Sequence, residues 1–184
     1  VTGTNAAISM AEEADLVIGI GTRYSDFTTA SKTGFQAPDV RFININVAEF
    51  DAYKHSALPL TADARVSLEL LTDALSDHRV SAAYTEEIGA KAAAWNDTVE
   101  TIYAKRHGPP LSQGQVIGAV EAAAGDRDVV LCAAGSLPGD LHKLWRARDP
   151  KSYHMEYGYS CMGYEIAGGL GTKMADPSRE VFVM

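Results

Sequence analysis

The sequence predicts an α/β fold: parallel sheets flanked by helices, arranged as two incomplete doubly wound, Rossmann-like units joined by a long connector helix. Three observations predict it. Short apolar, β-branched runs at 15–21, 41–47 and 128–133 alternate with amphipathic stretches of helical period. Residues 81–107 place Ile88, Trp95, Val99 and Ile102 at helical spacing with charges between them. The chain has 184 residues, 46% hydrophobic and 22% charged, which allows one full core or two partial ones, and the pattern favours two.

Residues 6–14 read as a helix. Asp15-Leu-Val-Ile-Gly-Ile-Gly21 follows as a strand of the kind buried on both faces. After a polar loop at 22–38, Arg41-Phe-Ile-Asn-Ile-Asn-Val47 is the second strand. Asp63 stands as the N-cap of a helix whose Val66, Leu70, Leu71, Ala74 and Leu75 share one face. The connector helix ends at His107-Gly-Pro-Pro110, and Ser112-Gln-Gly-Gln115 fits a capping box for the next helix, 112–124. Gly125 stops that helix before the buried strand Asp128-Val-Val-Leu-Cys-Ala133. A turn at 134–139, a helix through Leu141, Leu144 and Trp145, a short segment at 153–157, a small-residue helix at 162–174 and a strand from Glu180 complete the pattern. The expected divisions are 1–80, 81–110 and 111–184.

Sixteen Lys and Arg against 24 Asp and Glu leave a net charge of −8 and a pI near 5.0. No basic stripe interleaved with aromatics is present, so neither nucleic acid nor an acidic membrane surface is an expected partner. The longest apolar runs, 16–21 and 129–135, fall far short of the ~20 residues that span a bilayer, and no signal peptide is read. Cys132 and Cys161 form neither a disulfide framework nor a CxxC site, which makes a reducing cytoplasm the expected compartment. The start at Val1 and the stop within Val181-Phe-Val-Met184 suggest a piece of a longer chain, with parts of its site elsewhere.

Two glycine-bearing turns follow strands. Gly19-Ile-Gly21-Thr-Arg-Tyr24 has the position of a dinucleotide fingerprint, but Tyr24 stands where a glycine would allow close packing, and Asn44 or Asn46 would have to replace the acidic ribose ligand. A structural turn is the preferred reading there. In Ala134-Gly135-Ser136, Gly135 lets backbone N–H groups approach a ligand and Ser136 brings a hydroxyl ahead of a helix N-terminus, which suits phosphate oxygens. An ordinary capped strand-to-helix turn fits the same residues.

Tyr157-Gly-Tyr-Ser-Cys-Met-Gly-Tyr-Glu-Ile-Ala-Gly-Gly-Leu-Gly171 sets a bulky apolar residue between small ones at the mouth of a tightly packed helix. With Ala14-Asp-Leu-Val-Ile-Gly-Ile-Gly-Thr-Arg23 and Ala62-Asp63, it resembles the thiamine-diphosphate enzymes of the acetohydroxyacid synthase and pyruvate oxidase type. Arg23-Tyr-Ser-Asp-Phe-Thr28, Asn44-Ile-Asn-Val-Ala-Glu-Phe-Asp51 and Tyr153-His-Met-Glu-Tyr-Gly-Tyr-Ser-Cys-Met-Gly-Tyr-Glu-Ile-Ala167 are similar to the branch that hydrolyses a cyclic 1,2-diketone in inositol catabolism.

The resemblance implies that Gly135 and Ser136 meet the diphosphate. It places Met162, beside Gly163, beneath the bent cofactor and turns the Ser160 carbonyl toward the aminopyrimidine. It implies thiamine diphosphate with Mg2+, whose ligands should follow Met184, and an activating Glu from a preceding domain, so the piece alone is expected to be inactive. Flavin is not expected. The implied reaction breaks a ring carbon–carbon bond beside a ketone and, with water, releases an open-chain deoxyuronic acid. A homo-oligomer is implied, because the family builds each site from two subunits. His154 and Glu156, at i and i+2, would share a face of an extended segment and are candidate acid/base groups, with structural hydrogen bonding as the alternative. His142 reads as surface, Cys161 as a small packing residue, and Met162 has a core gap-filler as its alternative. An acetohydroxyacid synthase-like carboligase and a non-catalytic assembly module are the rival functions.

Overall fold

The computed structural model describes residues 3–106 and 108–184. Val1, from which the start of the chain was read, and His107, in the helix-ending stretch, lie outside them. The chain divides into two compact units, Val1–Trp95 and Asn96–Met184.

The first unit runs α1 (Asn5–Glu13), β1 (Leu16–Ile20), α2 (Asp26–Thr29), β2 (Arg41–Asn46), α3 (Glu49–Ala52), a 3-10 turn at Lys54–Ser56, β3 (Leu58–Thr61) and α4 (Ala64–Ala74). Its sheet has the order β1-β2-β3, parallel throughout. Thr4 caps α1 and Asp63 caps α4, each accepting a backbone N–H three residues on. Four features depart from the sequence reading. β1 is not buried on both faces: it is an edge strand, with Leu16 40% and Ile18 50% exposed. Val47 lies beyond the second strand, and the apolar face of α4 (Val66, Leu70, Leu75) stays exposed in this chain. β3 was unforeseen, because Leu58-Pro-Leu-Thr61 is short and Pro59 argues against a central strand; as an edge strand it tolerates the missing N–H.

The core of this unit is built around Tyr24. Its buried hydroxyl donates to Asn44 Oδ1 at 2.7 Å, and Asn44 Nδ2 donates to the carbonyls of Ala52 and Lys54 at 3.1 and 3.0 Å. Asn46 is engaged likewise, donating to the Thr22 carbonyl and accepting from the Ala48 N–H. Gly19 is required because a Cβ there would collide with the Tyr24 phenol. The preferred reading of the Gly19–Tyr24 turn as structural therefore has a physical basis: the tyrosine ring covers the strand, and both asparagines serve the fold.

The second unit contains the C-terminal part of α5 (Ala82–Ala104), the helix within which the two units divide, then α6 (Gln113–Ala123), β4 (Val129–Cys132), α7 (Ser136–Leu144), β5 (Tyr153–Met155), α8 (Tyr164–Ala175) and β6 (Val181–Val183). The capping box is complete, with Ser112 and Gln115 each accepting the other's backbone N–H. Gly118 of α6 lies against the Tyr103 ring, where a Cβ would be 2.7 Å from Cγ, and Tyr103 donates to the Leu144 carbonyl at 2.7 Å. Every residue of β4 is buried, with β5 on one side and β6 on the other, both parallel to it. Burial of each large apolar side chain there contributes about 1.5 to 3 kcal/mol. Arg179, also buried, donates to the Arg127 carbonyl (2.8 Å), Asp149 (2.9 Å) and Asp176 (3.1 Å), tying together the approaches to three strands.

Two measurements test these cores. Tyr24→Phe leaves the buried Asn44 oxygen without its donor and should cost about 1 to 3 kcal/mol in denaturant unfolding, with Gly19→Ala costing more; equal stability of Tyr24→Phe and the parent would show that the bond contributes nothing. In the second unit, Arg179 and then the Lys151 N–H hold Asp149 below the usual carboxylate range, and Ser178 and Arg179 do the same for Asp176. A carboxylate depressed in the folded state contributes stability above its unfolded pKa of about 3.9 and loses it as pH falls through the folded value. The urea midpoint should therefore fall on acidification below about pH 4, and less steeply in Arg179→Met; an unchanged acid slope in that variant would refute the linkage.

Candidate functional site

In the second sheet the chain leaves β4, returns as β5 on one side, then crosses back over β4 to become β6 on the other. The direction of connection reverses at β4. In open α/β sheets such a reversal opens a crevice at the carboxyl ends of the strands. Because Cys132 pairs with Met155, and the Glu156 N–H donates to the Cys132 carbonyl at 3.1 Å, the segments after β4 and β5 emerge side by side at that edge.

The segment after β4 is tight. Gly135 has φ 151° and ψ −173°, a conformation that favours glycine, and α7 begins directly at Ser136, inside the stretch 134–139 expected as a turn. No side chain caps α7. Pro138, at its third position, has no N–H, so the Ser136 and Leu137 amides are the donors its first turn presents outward. Ser136 is exposed, and its Oγ accepts from Gln113 Nε2 at 3.1 Å. Gln113 was not foreseen: it stands in the stretch read as a capping box, and nothing in its spacing points to a serine 23 residues away.

The segment after β5 wraps around a carboxylate. Glu156 Oε1 accepts from the Tyr159 N–H at 2.8 Å and Oε2 from the Cys161 N–H at 2.9 Å, and these two bonds hold its carboxyl below the ordinary range. Between them Ser160 takes φ 57°. Met162 follows, 87% exposed, and Gly163 (φ 90°) is the N-cap of α8, its N–H donating to Glu165 at 2.8 Å. The helix read from 162 thus starts at Tyr164. Met162 fills no core gap within this chain. Gly168 makes room for the Tyr164 ring, and Gly169 lets α8 close onto Val183 of β6.

His154 and Glu156 do not act on each other: His154 Nε2 hydrogen-bonds the Tyr164 hydroxyl at 2.7 Å with the rings stacked, while Glu156 binds the backbone. Cys161 and His142 are exposed. Among the described residues no three His, Cys, Asp or Glu side chains are grouped to hold a metal, and no helix is long and apolar enough to cross a membrane. The first unit has an open cleft of about 440 Å3 between Leu16, Phe42, His55 and Leu58, at the amino ends of its strands. That is the end opposite to where ligands collect in such sheets.

Comparison with known proteins gives this geometry a family. Residues 1–71 match the description "Thiamine pyrophosphate enzyme, central domain", and residues 133–184 match "Thiamine pyrophosphate enzyme, C-terminal TPP binding domain", a span that holds the Gly135 turn, the Met162 segment and α8. The 3D-(3,5/4)-trihydroxycyclohexane-1,2-dione hydrolases of Bacillus cereus (strain AH820) and Bacillus thuringiensis (strain Al Hakam) are each 45% identical over 208 aligned residues, covering all of this chain and 32% of the relative. The chain thus spans about a third of the length of the curated relatives it matches. With two domains of one family matched in order along it, the chain belongs to the thiamine pyrophosphate enzymes.

Proposed function

We propose that the carboxyl edge of β4 and β5 is where thiamine diphosphate docks, and that the chain serves a hydrolase cleaving a ring carbon–carbon bond of a trihydroxycyclohexane-1,2-dione. The observation that carries this reading is that two adjacent parallel strands lead, at one sheet edge, into an uncapped helix start with a serine hydroxyl and into a loop with an exposed methionine between residues of positive φ. The edge fits the group chemically. The Ser136 and Leu137 amides and the Ser136 hydroxyl face an anion, and Gly135 keeps the approach free of a side chain. Met162 offers an exposed apolar support, Gly163 turns the chain behind it, and the Ser160 carbonyl offers an acceptor for an amino group. When bound, thiamine diphosphate supplies the electron sink that lets a bond beside a carbonyl break.

Magnesium in this reading takes its ligands from outside the chain, as does the acid that activates the pyrimidine. Residues 1–80 belong to the central domain, 81–110 to the connector and 111–184 to the cofactor domain. The relatives' names support a trihydroxycyclohexane-1,2-dione as substrate and hydrolysis as the reaction; the product of ring opening in this reading is an open-chain deoxyuronic acid. No flavin is proposed, since Tyr24, Asn44 and Asn46 are committed to the fold of the first unit. The working protein is proposed to be a cytoplasmic homo-oligomer.

The reading is tested in the enzyme of full relative length carrying this sequence. Titration with thiamine diphosphate and Mg2+ should show saturable binding, and its absence would overturn the assignment. Ser136→Ala should weaken cofactor binding by about 1 to 2 kcal/mol, the loss of one hydrogen bond to a charged group; unchanged affinity would count against the diphosphate site. Met162→Ala should lower kcat at saturating cofactor, while Met162→Leu, which keeps the bulk, should retain most of it. If both keep the parental kcat and differ only in melting temperature, Met162 is packing.

A further inference from the structure

We propose that Glu156 is a positioning residue whose carboxylate clamps the two N–H groups flanking Ser160 and thereby fixes the direction of the Ser160 carbonyl. The proposal rests on the reading of this edge as the thiamine diphosphate site. It differs from the acid/base role that the spacing of His154 and Glu156 suggests.

The geometry is dictated by the planar peptide. The Cys161 N–H and the Ser160 C=O belong to one trans peptide unit, in which the two bonds point in opposite directions. With the Cys161 N–H held on Glu156 Oε2 at 2.9 Å, the Ser160 carbonyl points away from the carboxylate. The second bond, from the Tyr159 N–H to Oε1 at 2.8 Å, fixes the other side of Ser160, so the residue is held at φ 57°, a conformation unfavourable for a serine left to itself. Charge-assisted bonds of this kind are about twice as strong as neutral ones and sustain that conformation. The clamp is itself anchored, since the Glu156 N–H donates to Cys132 at the end of the central strand. A carboxylate on the N–H of a peptide also polarises its carbonyl, which makes the Ser160 oxygen a better acceptor for an amino group.

Both carboxylate oxygens are occupied by backbone, and the depressed pKa that follows suits a permanent acceptor better than a group that must take up a proton. The role is structural in means and specific in effect: one side chain aims one carbonyl.

Glu156→Gln replaces one acceptor oxygen with an NH2 that confronts a backbone N–H. In the full-length enzyme the thiamine diphosphate dissociation constant should rise about tenfold, the scale of one lost hydrogen bond to a charged group, and the near-ultraviolet dichroism of the bound aminopyrimidine should change. Glu156→Asp, which keeps the charge with a shorter reach, should restore part of both and serves as the readout if Glu156→Gln fails to fold. A fall in kcat with cofactor affinity and dichroism unchanged would make Glu156 an acid/base group and overturn the proposal, as would wild-type behaviour throughout. Ser136→Ala, measured alongside, separates the two levels. If it weakens binding and the Glu156 variants do not, the clamp is wrong; if it too leaves binding unchanged, the cofactor reading of the edge falls as well.

Discussion

The second unit depends on one constraint: a four-residue strand, β4, buried along its whole length and paired in parallel on both sides. A parallel sheet brings all carboxyl ends to one edge, and a reversal of connection at its middle strand opens that edge. The segments that lead into the Gly135 turn and the Ser160–Gly163 loop leave that edge side by side for this reason, although α7 and β5 separate the two in the chain. Remove the burial of Val129–Cys132 and no local feature of either segment would bring them together.

On this frame the polar groups are arranged by backbone bonds more than by side-chain pairs. Glu156 gathers two amides, Gly163 donates to Glu165, and Arg179 joins three strand approaches from a buried position. A loop organised in this way holds residues in left-handed conformations, as Ser160 shows, without a core beneath them. A cofactor held at this edge would depend on such fixed groups, because reacting atoms must be kept in place for the chemistry to proceed.

The first unit uses the same fold differently. Where a doubly wound sheet commonly leaves a glycine-lined crevice for a dinucleotide, Gly19 instead admits the Tyr24 ring, and Asn44 is bonded on both its oxygen and its nitrogen. The strand-turn pattern is kept, with the Tyr24 ring packed over Gly19.

Much of the architecture was written in local sequence. The Ser112–Gln115 box, the Asp63 cap, the long helix α5 and the apolar run of β4 each act over one helical turn or one pleated strand, so spacing alone reveals them. The residue types at Gly135, Ser136, Met162 and Gly163 were legible too, as was the family they resemble. β3 was not, because Leu58-Pro-Leu-Thr61 is a strand only by pairing with β2. The exposure of β1 and of the α4 face was not either, since periodicity tells which face seeks cover but not what covers it. At the site, only the tertiary structure decided that Gln113 donates to Ser136 and that Glu156 binds backbone while His154 turns to Tyr164. Those bonds depend on the parallel register of β4 with β5 and on the path of a loop, and no local period encodes a contact between segments that meet only once the sheet has formed.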